Sequence, residues 1–176
     1  MSKDDVVLEI GCGGGGTGLY MARMCDHMIG VDEVEHPAFR ETCKKYGISN
    51  VVFVNTNAKK MPFPDEYFDL AISVSALEHS SLEIANLAVK EVCRVLKKGK
   101  RFVATVAVSP DSPAYFKSES DIVYAFTEGT GIRLVDDTRT GWVWSDDEIR
   151  KRLEDLLSEY PSDQNWLPVG VIVEKI

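Results

Sequence analysis

The sequence predicts an α/β fold in which helices flank a doubly wound, mostly parallel sheet. Short apolar runs alternate with amphipathic segments over residues 1–108, as expected when each buried strand is followed by a crossover helix. The first apolar run ends in a cluster of glycines, which is typical of a tight turn from strand to helix. The chain has 176 residues, of which 44% are hydrophobic, so it is long enough to bury one continuous core.

Five buried strands are predicted in this first part of the chain. Each is a short run of apolar and β-branched residues that is bounded by polar or turn-forming residues. They lie at residues 6–10, 27–31, 51–54, 68–74 and 101–108. Because these five strands alternate with helices, they are expected to pair mostly in parallel through right-handed crossovers.

Helices are predicted between the strands from their start and stop signals. The first two helices are expected at residues 17–25 and 37–46. Pro37 suits the first turn of the second helix, and Gly47 stops it. Ser80 and Glu83 form a predicted capping box that opens the third helix, and Gly99 is expected to end it. The predicted apolar face of this third helix consists of Ile84, Leu87, Ala88, Val92 and Val95.

The pattern changes after residue 108. Short β-like pieces are predicted at residues 122–126, 132–135 and 142–144, and a last strand at residues 166–173. Ser145 and Glu148 form a second predicted capping box with a helix behind it. We expect a single domain over residues 1–176. It divides into a core at 1–108, a variable segment at 109–144 that selects the substrate, and a C-terminal helix and strand at 145–176.

The composition argues against several classes of protein. No apolar run approaches the ~20 residues that a membrane-spanning helix needs, and the first residues show no signal-peptide pattern. The net charge of −8 argues against a broad surface for nucleic acid, so no nucleic-acid partner is expected. The four cysteines form no C-x-x-C pair, which predicts reduced thiols in a cytoplasmic protein and no metal site.

The glycine cluster is the strongest single motif. Gly11, Gly13 and Gly16 satisfy the pattern G-x-G-x-x-G, and Asp32 follows near the end of the second strand. By itself this pattern fits NAD as well as it fits other adenosine ligands, because a carboxylate there accepts hydrogen bonds from ribose hydroxyls. Glu9 favours a different ligand. Its charge would repel a pyrophosphate but would attract a cationic ammonium and sulfonium.

Residues 6–15, Val-Val-Leu-Glu-Ile-Gly-Cys-Gly-Gly-Gly, resemble the first motif of the class I S-adenosylmethionine-dependent methyltransferases. Later segments resemble the other motifs of this family in the same order. These segments are 29–32, 57–65, 68–79 and 94–100. The resemblance covers residues 5–108 and implies a Rossmann-like fold, S-adenosylmethionine as cofactor and methyl transfer. The loop and fourth-strand motifs are most similar to the branch that methylates small molecules.

The resemblance also implies roles in holding the methionine part of the cofactor. Gly11 and Gly13 are expected beneath it, and Cys12 fills the same turn as a small buried side chain rather than as a nucleophile. Glu9 is expected to support the ammonium group or the turn itself. The carbonyl of Ser73 is expected to accept a hydrogen bond from the ammonium group.

The adenosine part is implied to meet a second group of residues. Asp32 would accept hydrogen bonds from the ribose diol, and Glu33 would lie at the adenine. Asn57 and the backbone of Ala58 would meet the edge of the adenine ring. Asn57 departs from the aspartate that is common in the family, although an amide oxygen can still accept a hydrogen bond from the adenine amino group.

The start of the chain departs from the family pattern. Relatives usually carry one or two helices before the first strand, and these helices close over the cofactor. Here the first strand begins within a few residues of Met1, so the expected fold lacks the usual N-terminal lid helices. Three explanations stay open, namely an open site, closure by another subunit as in a homodimer, and truncation of a longer protein.

His79 is the one candidate catalytic residue, because it follows the fourth strand and can accept a proton near neutral pH. The alternative is a structural or solvated histidine near a helix N-terminus. Three functions stay open at this level. They are a methyltransferase acting on a small molecule, a cofactor-binding module without catalysis, and an NAD(P)-dependent oxidoreductase, which Glu9 and the later motifs disfavour.

Overall fold

The structure, a computed structural model, describes residues 1–109, 116–135, 151, 155 and 166–176. The strands within these residues are β1 (Val6–Ile10), β2 (His27–Asp32), β3 (Val51–Asn55), β4 (Phe68–Val74), β5 (Leu96–Val108), β6 (Ile132–Leu134) and β7 (Leu167–Lys175). The helices are α1 (Gly16–Met21), α2 (Pro37–Tyr46), α3 (Leu82–Val95) and α4 (Glu119–Thr127). Single 3₁₀ turns lie at Ala22–Met24 and Leu77–His79.

The strands form one sheet in the order β3-β2-β1-β4-β5-β7-β6. The pairs among β1 to β5 are parallel, and β7 runs antiparallel to both β5 and β6. The predicted doubly wound, mostly parallel α/β fold is therefore confirmed. The chain first builds the sheet outward from β1 to β3 and then crosses back to β4. This reversal opens a crevice at the carboxyl ends of β1 and β4, where ligands bind in folds of this type.

The start of α3 differs from the predicted capping box by one residue. Ser81, not Ser80, is the N-cap, and its hydroxyl accepts a hydrogen bond from the Ile84 backbone N–H at 3.4 Å. Ser80 is engaged elsewhere, because its hydroxyl donates to the Leu77 carbonyl at 2.8 Å. The hydroxyl of Ser80 therefore bonds to the preceding 3₁₀ turn, and the hydroxyl of Ser81 caps the helix.

The predicted apolar face of α3 is partly wrong. Ile84 and Leu87 are 41% and 48% exposed. The buried row instead begins at Ala85 and continues through Val89, together with the correctly predicted Ala88, Val92 and Val95. The periodicity of the sequence is compatible with a buried row that begins at Ile84 or at Ala85. Contact with the sheet and α4 selects the row that begins at Ala85, the smaller side chain.

The end of α3 also differs, because the helix stops at Val95 and β5 begins at the next residue. Gly99, expected to end the helix, lies within β5 with φ +70°. The pairing of β5 with β4 is irregular between Phe68 and Leu70, and Gly99 falls in the extra residues opposite this interruption. The glycine therefore marks a bulge rather than a helix end. In the same way, the predicted helix at 17–25 is shorter, with α1 ending at Met21 before a 3₁₀ turn.

The strand predicted at residues 122–126 is wrong, because this segment belongs to α4. Its β-branched and aromatic composition favours a strand locally. Its buried residues are nevertheless Ile122, Ala125 and Phe126, a spacing that places them on one helical face, and the ring of Phe126 packs on Phe102 of β5. The strands predicted at residues 132–135 and 166–173 are present as β6 and β7. The predicted strand at 142–144 and the helix after Ser145 lie outside the described residues.

The main core lies between the sheet and α3 and α4, and its largest fully buried side chains include Leu8, Phe68, Phe102 and Phe126. Smaller clusters on the other side of the sheet pack against α1 and α2. All four cysteines are free thiols, as predicted. In the part of the chain that the structure describes, no helix combines the length and the apolar character needed to cross a bilayer.

Candidate active site

A cleft of about 940 Å³ opens at the carboxyl ends of β1 to β4. It lies at the crevice where the strand order reverses, as the fold predicts. Its walls come from residues 10–11, 31–34, 56–59, 75–77, 79–81, 84 and 88. The sheet thus brings together six of the predicted site residues, namely Gly11, Asp32, Glu33, Asn57, Ala58 and His79. Within the described ranges, no three His, Cys, Asp or Glu side chains are grouped so that they could hold a metal ion.

The glycine turn after β1 shows two different needs for glycine. Gly11 has φ +65°, and a Cβ atom there would lie 2.3 Å from the Cβ of Ala76. It therefore allows the loop after β4 to approach β1 closely. Gly13 has φ +46°, but a Cβ there would meet no atom within 4 Å. Gly13 therefore leaves open space beside the turn, which a ligand can enter.

The Asp32 carboxylate is fixed at the end of β2. One of its oxygens accepts a hydrogen bond from the Gly13 backbone N–H at 2.9 Å, and the other accepts from the Val34 N–H at 3.2 Å. These bonds tie the glycine turn to the neighbouring strand and hold the carboxylate at the wall of the cleft. Each oxygen keeps capacity for a further hydrogen bond, so the group can still accept from two hydroxyls of a ligand.

Glu9 lies beneath the turn and does not line the cleft. Its side chain is buried, and its Oε2 has no hydrogen-bond partner within the described residues. Burial raises the pKa of Glu9 to about 7, and the backbone of Gly18 opposes this effect. A Cβ on Gly18 would lie 2.2 Å from the Glu9 carboxylate. The Glu9 carboxylate thus contacts Gly18 in α1, and both roles expected for Glu9 stay predictions.

Glu33 and Asn57 join the walls that follow β2 and β3. The amide nitrogen of Asn57 donates a hydrogen bond to the Glu33 carboxylate. The amide oxygen of Asn57 accepts from the Lys59 backbone N–H at 2.8 Å, which makes a local turn. The two residues expected at the adenine therefore contact each other directly, with half-buried Ala58 between Asn57 and Lys59 in the sequence.

Besides Glu9, two predicted residues lie behind the cleft rather than in its wall. Ser73 is buried in β4 and donates from its hydroxyl to the Ile10 carbonyl at 3.2 Å. Cys12 is also buried, and burial together with the negative charges of Glu9 and Asp32 raises the pKa of its thiol to about 12. Such a thiol is a poor nucleophile at neutral pH. Gly13 borders the open space of the turn, although it is not among the lining residues.

The exit from β4 forms the opposite wall. Ser75 follows the strand with φ +48°, a conformation that costs energy for a residue other than glycine and is concentrated at functional sites. Leu77 and His79 then line the cleft from the 3₁₀ turn. His79 is exposed.

The sequence assigned no role to two buried polar residues that lie at the end of β5, namely Glu78 and Ser109. Glu78, between the two lining residues, is 1% exposed, and its Oε1 accepts a hydrogen bond from the Ala107 backbone N–H at 2.9 Å. Its Oε2, like the hydroxyl of buried Ser109, has no partner within the described residues. The only signal in the sequence is the position of Glu78 beside His79, because nothing there shows which way the side chain turns.

A family model described as a methyltransferase domain matches residues 8–104, more than half of the chain. The chain therefore belongs to the class I S-adenosylmethionine-dependent methyltransferases, the family that the sequence motifs resemble. The cofactor of this family is S-adenosylmethionine.

Two curated relatives illustrate the range of the family. The uncharacterized methyltransferase YcgJ of Bacillus subtilis is 35% identical over 109 residues, which cover 61% of this chain and 42% of that protein. Cycloartenol-C-24-methyltransferase of Arabidopsis thaliana is 33% identical over 125 residues, which cover 66% of this chain and 37% of that protein. The chain thus aligns with less than half of the length of these relatives.

Solved structures show the same fold. The crystal structure of YcgJ superposes with a TM-score of 0.71 at 22% identity, over 99% of this chain and 93% of that one. The structure of the cyclase SpnF superposes with a TM-score of 0.75 at 18% identity, over 99% of this chain and 76% of that one. One fold therefore serves proteins that are named for different reactions.

Proposed function

We propose that this chain binds S-adenosylmethionine in the cleft and transfers its methyl group to a small-molecule acceptor. The observation that carries the proposal is the Asp32 carboxylate, held by the Gly13 N–H beside a glycine turn that is open to a ligand. This carboxylate lies at the carboxyl end of β2, where folds of this type bind the ribose of an adenosine ligand.

The charges around the cleft support this ligand over a dinucleotide. Asp32 and Glu33 line it, and Glu9 lies beneath the adjoining turn. Lys59 is the only lysine or arginine among the described lining residues. Two phosphates would be repelled by this arrangement, whereas an ammonium and a sulfonium would be stabilised. The NAD(P)-dependent alternative is disfavoured on the same ground.

The residues fit the two ends of the proposed cofactor. The turn at Gly11 and Gly13 would hold the methionine part, with Glu9 bracing the turn from below. The buried Oε2 of Glu9 has no hydrogen-bond partner among the described residues, and when the carboxyl is ionised its negative potential favours a cation above it. The carbonyl of Ser73 is the proposed acceptor for the ammonium group, because Ser73 pairs with Ile10 at the end of β1.

Asp32 would bind the ribose diol, and the linked Glu33 and Asn57 would border the adenine together with the Ala58 backbone. The amide oxygen of Asn57 keeps one lone pair besides the pair that the Lys59 N–H uses, so it can accept from the adenine amino group. Cys12 contributes by filling the turn from the buried side.

When bound, S-adenosylmethionine supplies a methyl group on a positively charged sulfur, which a nucleophile displaces. The main task of the chain is then to hold the acceptor in line with that methyl group, which contributes about 7–11 kcal/mol in well-oriented reactions. His79 is proposed to take the proton that the attacking oxygen or nitrogen loses. Its place in the wall formed after β4 gives it access to a molecule in the cleft.

The acceptor is proposed to have an apolar part. Val34 and Ile84 line the cleft, and they are 68% and 41% exposed. Exposed aliphatic side chains at a binding site favour contact with an apolar ligand. The relative from Arabidopsis is named for a sterol acceptor, which is consistent with this chemistry. Residues 109–144 stay the predicted substrate-selecting segment, and a homodimer stays a prediction for the assembly.

A cofactor-binding module without methyl transfer is the second candidate. The fold match to a cyclase favours keeping it, because the same scaffold carries a protein that is not named for methylation. The two candidates predict the same cofactor affinity and differ only in turnover.

Calorimetric titration of the chain with S-adenosylmethionine, S-adenosylhomocysteine and NAD tests the binding claim. We expect both adenosyl ligands to bind and NAD not to compete with them. Tight NAD binding without binding of either adenosyl ligand would reject the proposal. To test turnover, release of S-adenosylhomocysteine is measured with sterol, fatty-acid and phenol acceptors. Turnover in the wild type that falls in His79→Gln supports the methyltransferase, and binding without any turnover supports the module.

A further inference from the structure

Strand β4 leaves the sheet before its neighbour β5 does. Just after β4 ends, one more backbone hydrogen bond joins the chain to β5, from the Ser75 N–H to the Thr105 carbonyl at 2.9 Å. Ser75 then turns the chain away with φ +48°. Strand β5 continues to Val108, so its edge facing β4 loses its partner strand after Thr105. A buried backbone N–H on that edge needs another acceptor.

The side chain of Glu78 supplies that acceptor. Its Oε1 accepts from the Ala107 N–H at 2.9 Å, two residues beyond Thr105. Two residues further along, the Ser109 N–H donates to the Phe116 carbonyl at 2.8 Å. The carboxyl of Glu78 therefore takes the place of the departed strand between Ser75 and Phe116, and it ties the 3₁₀ turn at Leu77–His79 to the end of β5.

This tie fixes two residues that line the cleft. Leu77 and His79 flank Glu78 in the turn and both form part of the wall. Glu78 is 1% exposed, whereas His79 is exposed, so the carboxyl lies on the buried side of the residue that meets the ligand. Burial of an acidic side chain costs free energy, because burial penalises its charge. The presence of a glutamate in this place therefore indicates that its position serves a purpose.

The electrostatic surroundings of Glu78 link it to His79. Burial raises the pKa of Glu78, while the backbone N–H groups at Glu78 and Ala107 and the positive charge of His79 lower it. Its Oε2 has no hydrogen-bond partner among the described residues. Among the causes that lower the pKa of Glu78, the charge of His79 is the one that comes from another side chain.

We propose that Glu78 is a positioning residue for His79, which fixes the histidine at the cleft and stabilises its protonated form through the buried carboxylate. This inference rests on the proposed function, because it assumes that His79 faces the methyl acceptor. As the methyl–sulfur bond breaks, its electron pair stays on sulfur and the acceptor atom forms the new bond to carbon. The proton of the acceptor moves to His79, and the negative charge of Glu78 then lies behind the imidazolium.

The test is a titration of the Glu78 carboxyl by NMR in glutamate-labelled protein, with Glu78→Gln used to assign its signal. We expect His79→Gln to raise the pKa of Glu78 by about 0.5 or more, because a neighbouring cation favours the carboxylate. His79 is exposed, so the variant should fold. His27→Gln is the matched control, since His27 is exposed at the start of β2 beside Asp26 and should leave Glu78 unchanged.

An unchanged Glu78 titration in His79→Gln would overturn the proposal, and so would an equal change in His27→Gln. The measurement needs neither cofactor nor acceptor. It can therefore succeed even if S-adenosylhomocysteine fails to bind in the calorimeter, which would reject the proposed function instead. If the Glu78 titration and the binding of S-adenosylhomocysteine are both as expected, Glu78→Gln should bind this ligand within about threefold of the wild type. The amide oxygen of the glutamine can still accept a hydrogen bond from the Ala107 N–H.

Discussion

Substitution of Gly11 separates the structural role of the glycine turn from its ligand-binding role. An alanine at this position would have to adopt φ +65°, which costs about 1–2 kcal/mol. Its Cβ would also lie 2.3 Å from the Cβ of Ala76, far inside the ~3.5–4.0 Å separation of carbon atoms in contact. Relief by a backbone shift adds roughly 1–3 kcal/mol.

The expected loss of stability for Gly11→Ala is therefore roughly 2–5 kcal/mol, the sum of these two costs. For a chain of this size each kcal/mol lowers Tm by about 2–4 °C, so Tm should fall by roughly 4–20 °C. Thermal unfolding followed by circular dichroism measures the change. The double variant Gly11→Ala/Ala76→Gly should recover the steric part and keep the backbone strain, because it removes the second Cβ.

Gly13→Ala is the matched comparison, since its φ is also positive but its Cβ would meet no atom within 4 Å. It should lose at most about 1–2 kcal/mol of stability from backbone strain. It should nevertheless weaken binding of S-adenosylhomocysteine, because the new methyl group enters the space assigned to the ligand. Equal destabilisation by the two alanines, or no recovery in the double variant, would refute the steric explanation for Gly11.

Three further predictions concern the carboxylates and a buried amide. Asp32→Ala should weaken S-adenosylmethionine binding by more than about tenfold in calorimetry, since two hydrogen bonds to ribose are lost. Asp65→Ala, outside the cleft, is the control. An unchanged affinity in Asp32→Ala would reject the ribose role. The pKa of Glu9 is raised to about 7, so the folded protein favours the neutral carboxyl. The stability that this preference contributes is fully present below the ordinary pKa of a glutamate and is lost as pH rises through 7. Glu9→Gln should therefore become more stable than the wild type by about 3 kcal/mol at most between pH 5 and 8 in urea unfolding; parallel pH profiles would contradict this sign. Asn86→Ala should lower the free energy of unfolding by about 1–3 kcal/mol in the same assay. The reason is that the Asn86 amide donates to the carbonyls of Tyr124, Ala125 and Glu128 at the end of α4. A loss as small as that of the exposed control Asn55→Ala would show that this cap is dispensable.

Much of the sheet could be predicted from the sequence because buried parallel strands are short, apolar and closed by turn residues. The segments at β1, β2 and β4 satisfy these conditions locally, and the glycine turn and Asp32 follow two of them directly. Their meeting at one edge then follows from the topology of a parallel sheet. The cleft residues Gly11 and Asp32 were predictable for this reason.

Other features depended on contacts that sequence patterns do not show. Residues 122–126 have strand-like composition, but α4 forms because Ile122 and Phe126 share one face that packs on the sheet. Ile84 fits a helical apolar stripe, yet the side of α3 that meets the sheet begins at Ala85. Tertiary packing overrode a local preference in both cases.

Glu78 shows a different limit. Its importance arises because β4 stops pairing with β5 at Ser75 and leaves the Ala107 N–H without a strand partner. No local pattern around Glu78 indicates where a neighbouring strand will end. A buried carboxyl that replaces a missing strand is visible only once the pairing of the sheet is known.

The most direct measurement is a crystal structure of this chain with S-adenosylhomocysteine. We expect both ribose hydroxyls to donate hydrogen bonds to the Asp32 carboxylate, with the amino acid end of the ligand over the turn at Gly11 and Gly13. The adenine should lie at the wall formed by Glu33 and Asn57. A ligand bound outside this cleft, or a ribose beyond hydrogen-bonding distance of Asp32, would contradict the proposed site.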